Sequence, residues 1–148
     1  MNDAVLLDSG PLGVLCNPNN HAQTVAIRLW VTALLAAGRR VIIPEIADYE
    51  VRREFLRNQS FLALSKLDAY GQQLEYLPLT TAAMRLAADL WSQVRNTGLP
   101  TAHDHALDGD VILAAQSIVL GIPVVVATGN PTHLSRFTQA ELWQNIIP

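Results

Sequence analysis

The sequence predicts an α/β protein: a three-layer α/β/α fold on a central, mostly parallel sheet. Three observations carry this. The all-apolar runs at 5–7, 41–43 and 124–126 are short enough for strands and apolar enough for strands covered on both faces. Longer segments of helical period separate them, as crossover connections require. Residues that start or stop helices (Pro44, Thr80, Gly38, Gly121) fall at the joints.

The elements follow in order. Residues 5–7 form a first strand that runs straight into Asp8-Ser9-Gly10-Pro11, where Asp favours a turn or caps a helix. Pro18-Asn19-Asn20 is a turn, and 21–37 reads as a helix closed by Gly38. The second strand, 41–43, meets Pro44, which suits the first turn of a helix over 45–56. Ser60 caps a helix over 61–72, and 74–77 is a third strand stopped by Pro78. Thr80 opens an amphipathic helix whose stripe is Met84, Leu86, Ala87, Leu90, Trp91 and Val94, ended at Asn96-Thr97-Gly98. Residues 99–107 read as a polar loop, and Asp108 as the N-cap of a helix reaching Leu120. The fourth strand is 124–126, Thr128-Gly129-Asn130-Pro131 is a loop, and 141–147 adds an edge strand. Without repeat, linker or low-complexity segment, 1–148 is expected to be a single domain.

Composition narrows the function. Half of the residues are hydrophobic and 16% are charged, which suits a packed core rather than disorder. The net charge of −3 provides no global field for nucleic acid, so recruitment would need a local patch. Two arginine clusters offer one, Arg39-Arg40 and Arg52, Arg53 and Arg57, although an exposed helix face is the commoner explanation. The single cysteine, Cys16, suits a reducing cytoplasm. A basic leader and an apolar run of ~18 residues are both missing, so no membrane span is expected. Lys66 is the only lysine, and no P-loop, GxGxxG or GxSxG motif occurs.

What remains is acidic. Asp8 ends a central strand, where a parallel sheet places its ligand crevice. On the helix over 45–56, Glu50 sits a turn below Ile46 and points inward, whereas Glu45 serves the helix dipole and Glu54 lies among arginines. Asp104, Asp108 and Asp110 crowd the approach to the next helix, more acids than capping needs. Asn130 follows the fourth strand, where it also makes an ordinary turn. His103 and His105 lie nearby, but with one cysteine and no HExxH a zinc site is not expected. Oxygen donors suit Mg²⁺ or Mn²⁺.

Four segments, taken together and in order, resemble a PIN domain, nearest the VapC-type toxins. They are Leu6-Leu7-Asp8-Ser9-Gly10-Pro11-Leu12, Ile43-Pro44-Glu45-Ile46-Ala47-Asp48-Tyr49-Glu50-Val51-Arg52-Arg53, Asp108-Gly109-Asp110-Val111-Ile112-Leu113-Ala114-Ala115-Gln116 and Val126-Ala127-Thr128-Gly129-Asn130-Pro131-Thr132-His133. The resemblance implies a PIN-like fold and a Mg²⁺- or Mn²⁺-dependent endoribonuclease. Asp8, Glu50 and Asp110 would be its catalytic, metal-holding acids, with Asp108 an added acid and Asn130 in the place of a fourth ligand. Arg52, Arg53 and Ser9 would contact the RNA. An antitoxin is the implied partner, and Trp30, Trp91 and the apolar stripes suggest a homodimer. Because Asn130 brings no carboxylate, the alternative is a PIN-like nucleic-acid- or protein-binding module without catalysis. A phosphatase ranks below both, for want of an Asp-x-Asp pattern after Asp8.

Overall fold

The computed structural model describes residues 3–97 and 104–148, with backbone alone at 104 and 105. Strand β1 (Ala4–Leu7) leads through Asp8 into helices α1 (Ser9–Cys16) and α2 (Ala22–Ala36). Strand β2 (Val41–Pro44) is followed by α3 (Glu45–Arg57) and α4 (Phe61–Gln73), and strand β3 (Glu75–Leu77) by α5 (Thr81–Asn96) and α6 (Asp104–Val119). Strand β4 (Val124–Thr128), α7 (Pro131–Leu134), β5 (Ala140–Leu142) and a 3-10 turn at Trp143–Asn145 complete the chain. The strands lie in the order β3-β2-β1-β4-β5, and every neighbouring pair is parallel. The layered α/β/α fold is as expected, with a sheet that is parallel throughout.

The pleat of the sheet sorts its side chains into two cores. Val5 and Leu7 of β1 join Val41, Ile43 and Val125 beneath α1, α2 and α4. Ala4 and Leu6 turn the other way with Ile42 and Val126 and meet Leu113 of α6 and Leu134 of α7. Helix α5 packs outside α6 through Ala83, Ala87, Val94, Leu107, Val111 and Ala115. Burial on both faces explains why β1, β2 and β4 are near-continuous apolar runs rather than alternating ones, whereas the edge strands β3 and β5 carry Glu75 and Glu141.

Topology locates the crevice. The chain steps from β1 through β2 to β3, then returns to the far side of β1 to lay down β4. Where the direction reverses, the connections leaving the two carboxyl ends diverge and open a cleft. Asp8 leaves β1 at that point, and Gly129-Asn130 leaves β4.

Of the two readings left open for Asp8, the cap holds: it starts a helix, α1, whose Pro11, Leu12, Leu15 and Cys16 are buried against the sheet. Two other expectations change. Helix α6 starts at Asp104, so Asp108 lies inside it and is not its N-cap. Leu107, Val111 and Ala115 explain this: spaced four apart, they continue one buried stripe against α5. The last edge strand is short, because Trp143 leaves it to pack on Trp30 with ring centroids 5.4 Å apart. The Trp30 indole N–H donates to the Ile146 carbonyl at 2.8 Å, so this tryptophan belongs to the core and adds no apolar surface for a dimer. Gly38 and Gly121, at φ of 79° and 65°, follow α2 and α6 where a side chain would be strained.

Gln116 ties the layers together beside the cleft. It is fully buried on α6, its Oε1 accepts from the Ile46 amide at 3.2 Å, and its Nε2 donates to the Leu77 carbonyl at 2.9 Å. The start of α3 and the end of β3 are thus fixed to one side chain. Gln116→Leu keeps the volume but strands both backbone groups, and should cost about 2 kcal/mol in urea unfolding. A loss of no more than a few tenths would show that water replaces the amide.

Candidate active site

Asp8, Glu50 and Asp110 approach the cleft from three elements: the end of β1, the second turn of α3, and α6. Asp8 is held at both oxygens. Oδ1 accepts from the Ser9 amide at 2.7 Å and Oδ2 from the Thr128 hydroxyl at 2.8 Å. Thr128 is 1% exposed, and its Oγ1 also accepts from the Asn130 amide at 3.1 Å. The end of β4 therefore orients the carboxylate that ends β1. Asp8 also starts α1, its carbonyl accepting from the Leu12 amide at 3.0 Å, so capping and a place in the cleft coexist.

Glu50 turns inward as its position below Ile46 predicts: its side chain is 25% exposed, against 51% for Glu54, which pairs with Arg57. Burial pushes the Glu50 carboxyl above the usual range and Asp8 adds to it. Arg53 pulls the other way, but its guanidinium stands 3.9 Å from Oε2 and leaves the net shift upward. Asp110 is raised in the same way, by burial first and then by Asp8, with His133 and Arg136 drawing it back in part.

Gly109 explains how Glu50 fits. A Cβ built on Gly109 would stand 2.9 Å from Glu50 Oε2. The carboxylate of α3 therefore rests against the backbone of α6, one residue before Asp110. Glycine inside a helix is costly, and here it makes room for an acid.

The donor set is oxygen throughout, and its members repel one another in a half-buried cleft. A divalent cation would relieve that repulsion, so the residues suit Mg²⁺ or Mn²⁺ in donor chemistry and charge. Among the described residues no three His, Cys, Asp or Glu side chains form a closed chelating group. The acids are brought to a common cleft, and holding an ion would need them to close on it.

The other residues singled out from sequence scatter. Asp108 is exposed on α6 and lines, with Ile46, Tyr49, Glu50, Arg53, Gly109 and Ile112, a cavity of about 520 Å³. Ser9 lies on the opposite side of Glu50, in a cavity of about 310 Å³ shared with Arg53 and Phe55. Asn130 is exposed and caps α7, its Oδ1 accepting from the Thr132 amide at 3.4 Å. Arg52 is engaged elsewhere, at 2.8 Å from both Asp48 and Asp68. The Tyr76 phenol also donates to Asp48, at 2.9 Å, and this network ties α3, α4 and β3 together. His103 and the His105 side chain lie outside the described residues. The buried Cys16 thiol is pushed up to about 12 by desolvation and offers no nucleophile. Another cavity, about 530 Å³ beside Phe61 and Leu62, holds neither acid nor base.

Sequence reasoning passed over Thr128, Gly109, His133 and Arg136. A glycine between two aspartates inside a helix is a visible sign of close approach. A hydroxyl at the end of an apolar strand is a fainter one, and neither His133 nor Arg136 carries any local sign.

No protein-family model matches the chain, and no curated protein matches it in sequence. Solved structures do. VapBC2 from Rickettsia felis, bound to a DNA fragment from their promoter, matches at a TM-score of 0.70 and 17% identity, covering 95% of this chain and 98% of that one. DNA-bound VapBC from Salmonella typhimurium matches at 0.69 and 18%, covering 96% and 99%. VapBC-1 from nontypeable Haemophilus influenzae matches at 0.67 and 16%, covering 96% and 99%. The likeness establishes the fold, a PIN-like fold shared along nearly the whole length.

Two outcomes follow from the acids. Gly109→Ala should leave the melting temperature unchanged or higher, since alanine is favoured over glycine in a helix by about 1 kcal/mol, while displacing the Glu50 carboxylate. A crystal structure of that variant with Glu50 still against α6 would refute the close fit. The raised carboxyls bind protons more tightly in the folded state than in the unfolded chain. They therefore add stability to the ion-free protein as pH falls from neutral toward the ordinary carboxylate values of about 4. Glu50→Gln should melt higher than wild type at neutral pH, with the gap narrowing on acidification. Equal melting curves at both pH values would remove the repulsion.

Proposed function

We propose that the protein is a metal-dependent endoribonuclease, the toxin of a type II toxin–antitoxin pair. Its site is Asp8, Glu50 and Asp110 holding Mg²⁺ or Mn²⁺. The observation that carries this is the convergence of three carboxylates from separate elements at the switch point of a parallel sheet, where burial first and Asp8 second raise the other two. Mutual repulsion there has no structural use and is relieved by a cation. The fold shared with three VapBC complexes supports the toxin role, and with it an antitoxin as partner.

Each group has a task. The Ser9 amide and the Thr128 hydroxyl each take one oxygen of Asp8, which fixes its plane before anything binds. Glu50 and Asp110 face it, and Asp108 stands at the rim of the Glu50 cavity as a further oxygen donor. A divalent cation held by Asp8, Glu50 and Asp110 would supply water activation and charge stabilisation at the phosphodiester. Arg53 beside Glu50 and Arg136 beside Asp110 place positive charge on either flank for the RNA backbone, with His133 next to Arg136 on the second. Arg52 braces α3 from beneath and leaves the RNA to Arg53.

Asn130 favours a second possibility. Its side chain caps a helix where a fourth carboxylate would strengthen the site, so a binding module without catalysis is the alternative. Cleavage of an RNA panel separates the two. We expect cutting with Mn²⁺, its loss with EDTA, and a fall of about a hundredfold or more in Asp8→Asn and Asp110→Asn. Variants that cut as fast as wild type would misplace the site. Calorimetry finding RNA bound but no Mn²⁺ would favour the binding module.

A further inference from the structure

Tyr49 precedes Glu50 on α3 and is 56% exposed. A single exposed tyrosine is ordinary on a protein surface. This one is set differently. The Arg53 guanidinium lies over its ring, 5.1 Å from the centroid, and the same guanidinium stands 3.9 Å from Glu50. Tyr49, Arg53 and Glu50 line the cavity of about 520 Å³ together with two apolar side chains, Ile46 and Ile112. That size lies within the range of about 300–1,000 Å³ typical of small-ligand sites.

The cavity and the acid cleft share the Glu50 carboxylate. A strand whose phosphodiester lies among Asp8, Glu50 and Asp110 therefore carries a neighbouring nucleotide past this cavity. An aromatic ring with a guanidinium beside it and aliphatic walls is the chemistry that receives an unpaired base. Resting on the ribonuclease proposal, we infer that the cavity is a nucleobase subsite. The base of a single-stranded RNA nucleotide flanking the cut stacks on Tyr49 between Ile46 and Ile112, and Arg53 faces the adjoining phosphate. The site thus favours unpaired RNA over duplex, because a paired base enters only by breaking its pair and its stack.

The test uses the full chain and a fluorescein-labelled single-stranded oligoadenylate, with EDTA present so that binding is read without cleavage. Tyr49→Ala should bind about tenfold more weakly, and Tyr49→Phe and Tyr49→Trp should bind as wild type does. An abasic strand of equal length should bind wild type and Tyr49→Ala alike, because it has no base to stack. In cleavage with Mn²⁺, Tyr49→Ala should raise KM more than it lowers kcat. Equal affinity of Tyr49→Ala and wild type for oligoadenylate would overturn the subsite, as would a tenfold deficit that persists on the abasic strand. Wild type that cuts RNA while Tyr49→Ala is unimpaired overturns the subsite alone. Wild type that neither binds nor cuts RNA overturns the ribonuclease proposal and the subsite with it.

Discussion

The hydrogen bond from Thr128 to Asp8 joins the two strands between which the sheet changes direction. It is short, 2.8 Å, and its donor is a nearly fully buried hydroxyl on a rigid strand. A carboxylate at a strand end would otherwise choose among rotamers in a wet cleft. Here both oxygens are committed, one to the first amide of α1 and one to a hydroxyl of β4. The charge of Asp8 is thereby fixed in space, and the two other acids feel it from fixed distances. Burial is the larger cause of the raised Glu50 and Asp110 carboxyls, and the placement of Asp8 adds to it.

Helix α3 shows how one short stretch serves two purposes. Asp48 and Arg52, four apart, lie on the side that meets Tyr76 and Asp68, where they fill a partly buried network. Tyr49 and Arg53, also four apart, lie one residue round and open toward the cleft with Glu50. Adjacent arginines thus have unrelated roles, because successive residues of a helix point about 100° apart. The partly buried pair braces the helix, and the exposed pair lines the cavity with Glu50. Gln116 completes the brace from α6, so Glu50 is carried on an element fixed at its start and along its underside.

The cleft is a place where local rules are broken together. Two carboxyls are held above their usual range, a glycine interrupts a helix, and a buried threonine bonds an acid rather than a partner strand. The raised carboxyls and the glycine each run against stability taken alone. They occur within one small region, against a sheet whose every strand residue from β1, β2 and β4 is buried. Concentrated departures of this kind mark a site rather than a fold.

Much of this was legible in the order of residues. Apolar strands buried on both faces leave a periodic and compositional trace, so the α/β layers, the parallel sheet and the position of Asp8 at a strand end could be read directly. The inward turn of Glu50 followed from its spacing to Ile46. The start of α6 was misread, because a polar stretch looks like a loop until Leu107 finds α5 to pack against. The partners of each acid were out of reach for a plainer reason. Thr128 stands 120 residues from Asp8, and Gly109 meets Glu50 only because α6 crosses α3 there. Hydrophobic pattern is local and repeats along the chain, so sequence alone determined the layers and offered the acids. Which acids share a field, which arginine is free, and what holds Asp8 in place are set by contacts between distant segments, and only the folded chain decided them.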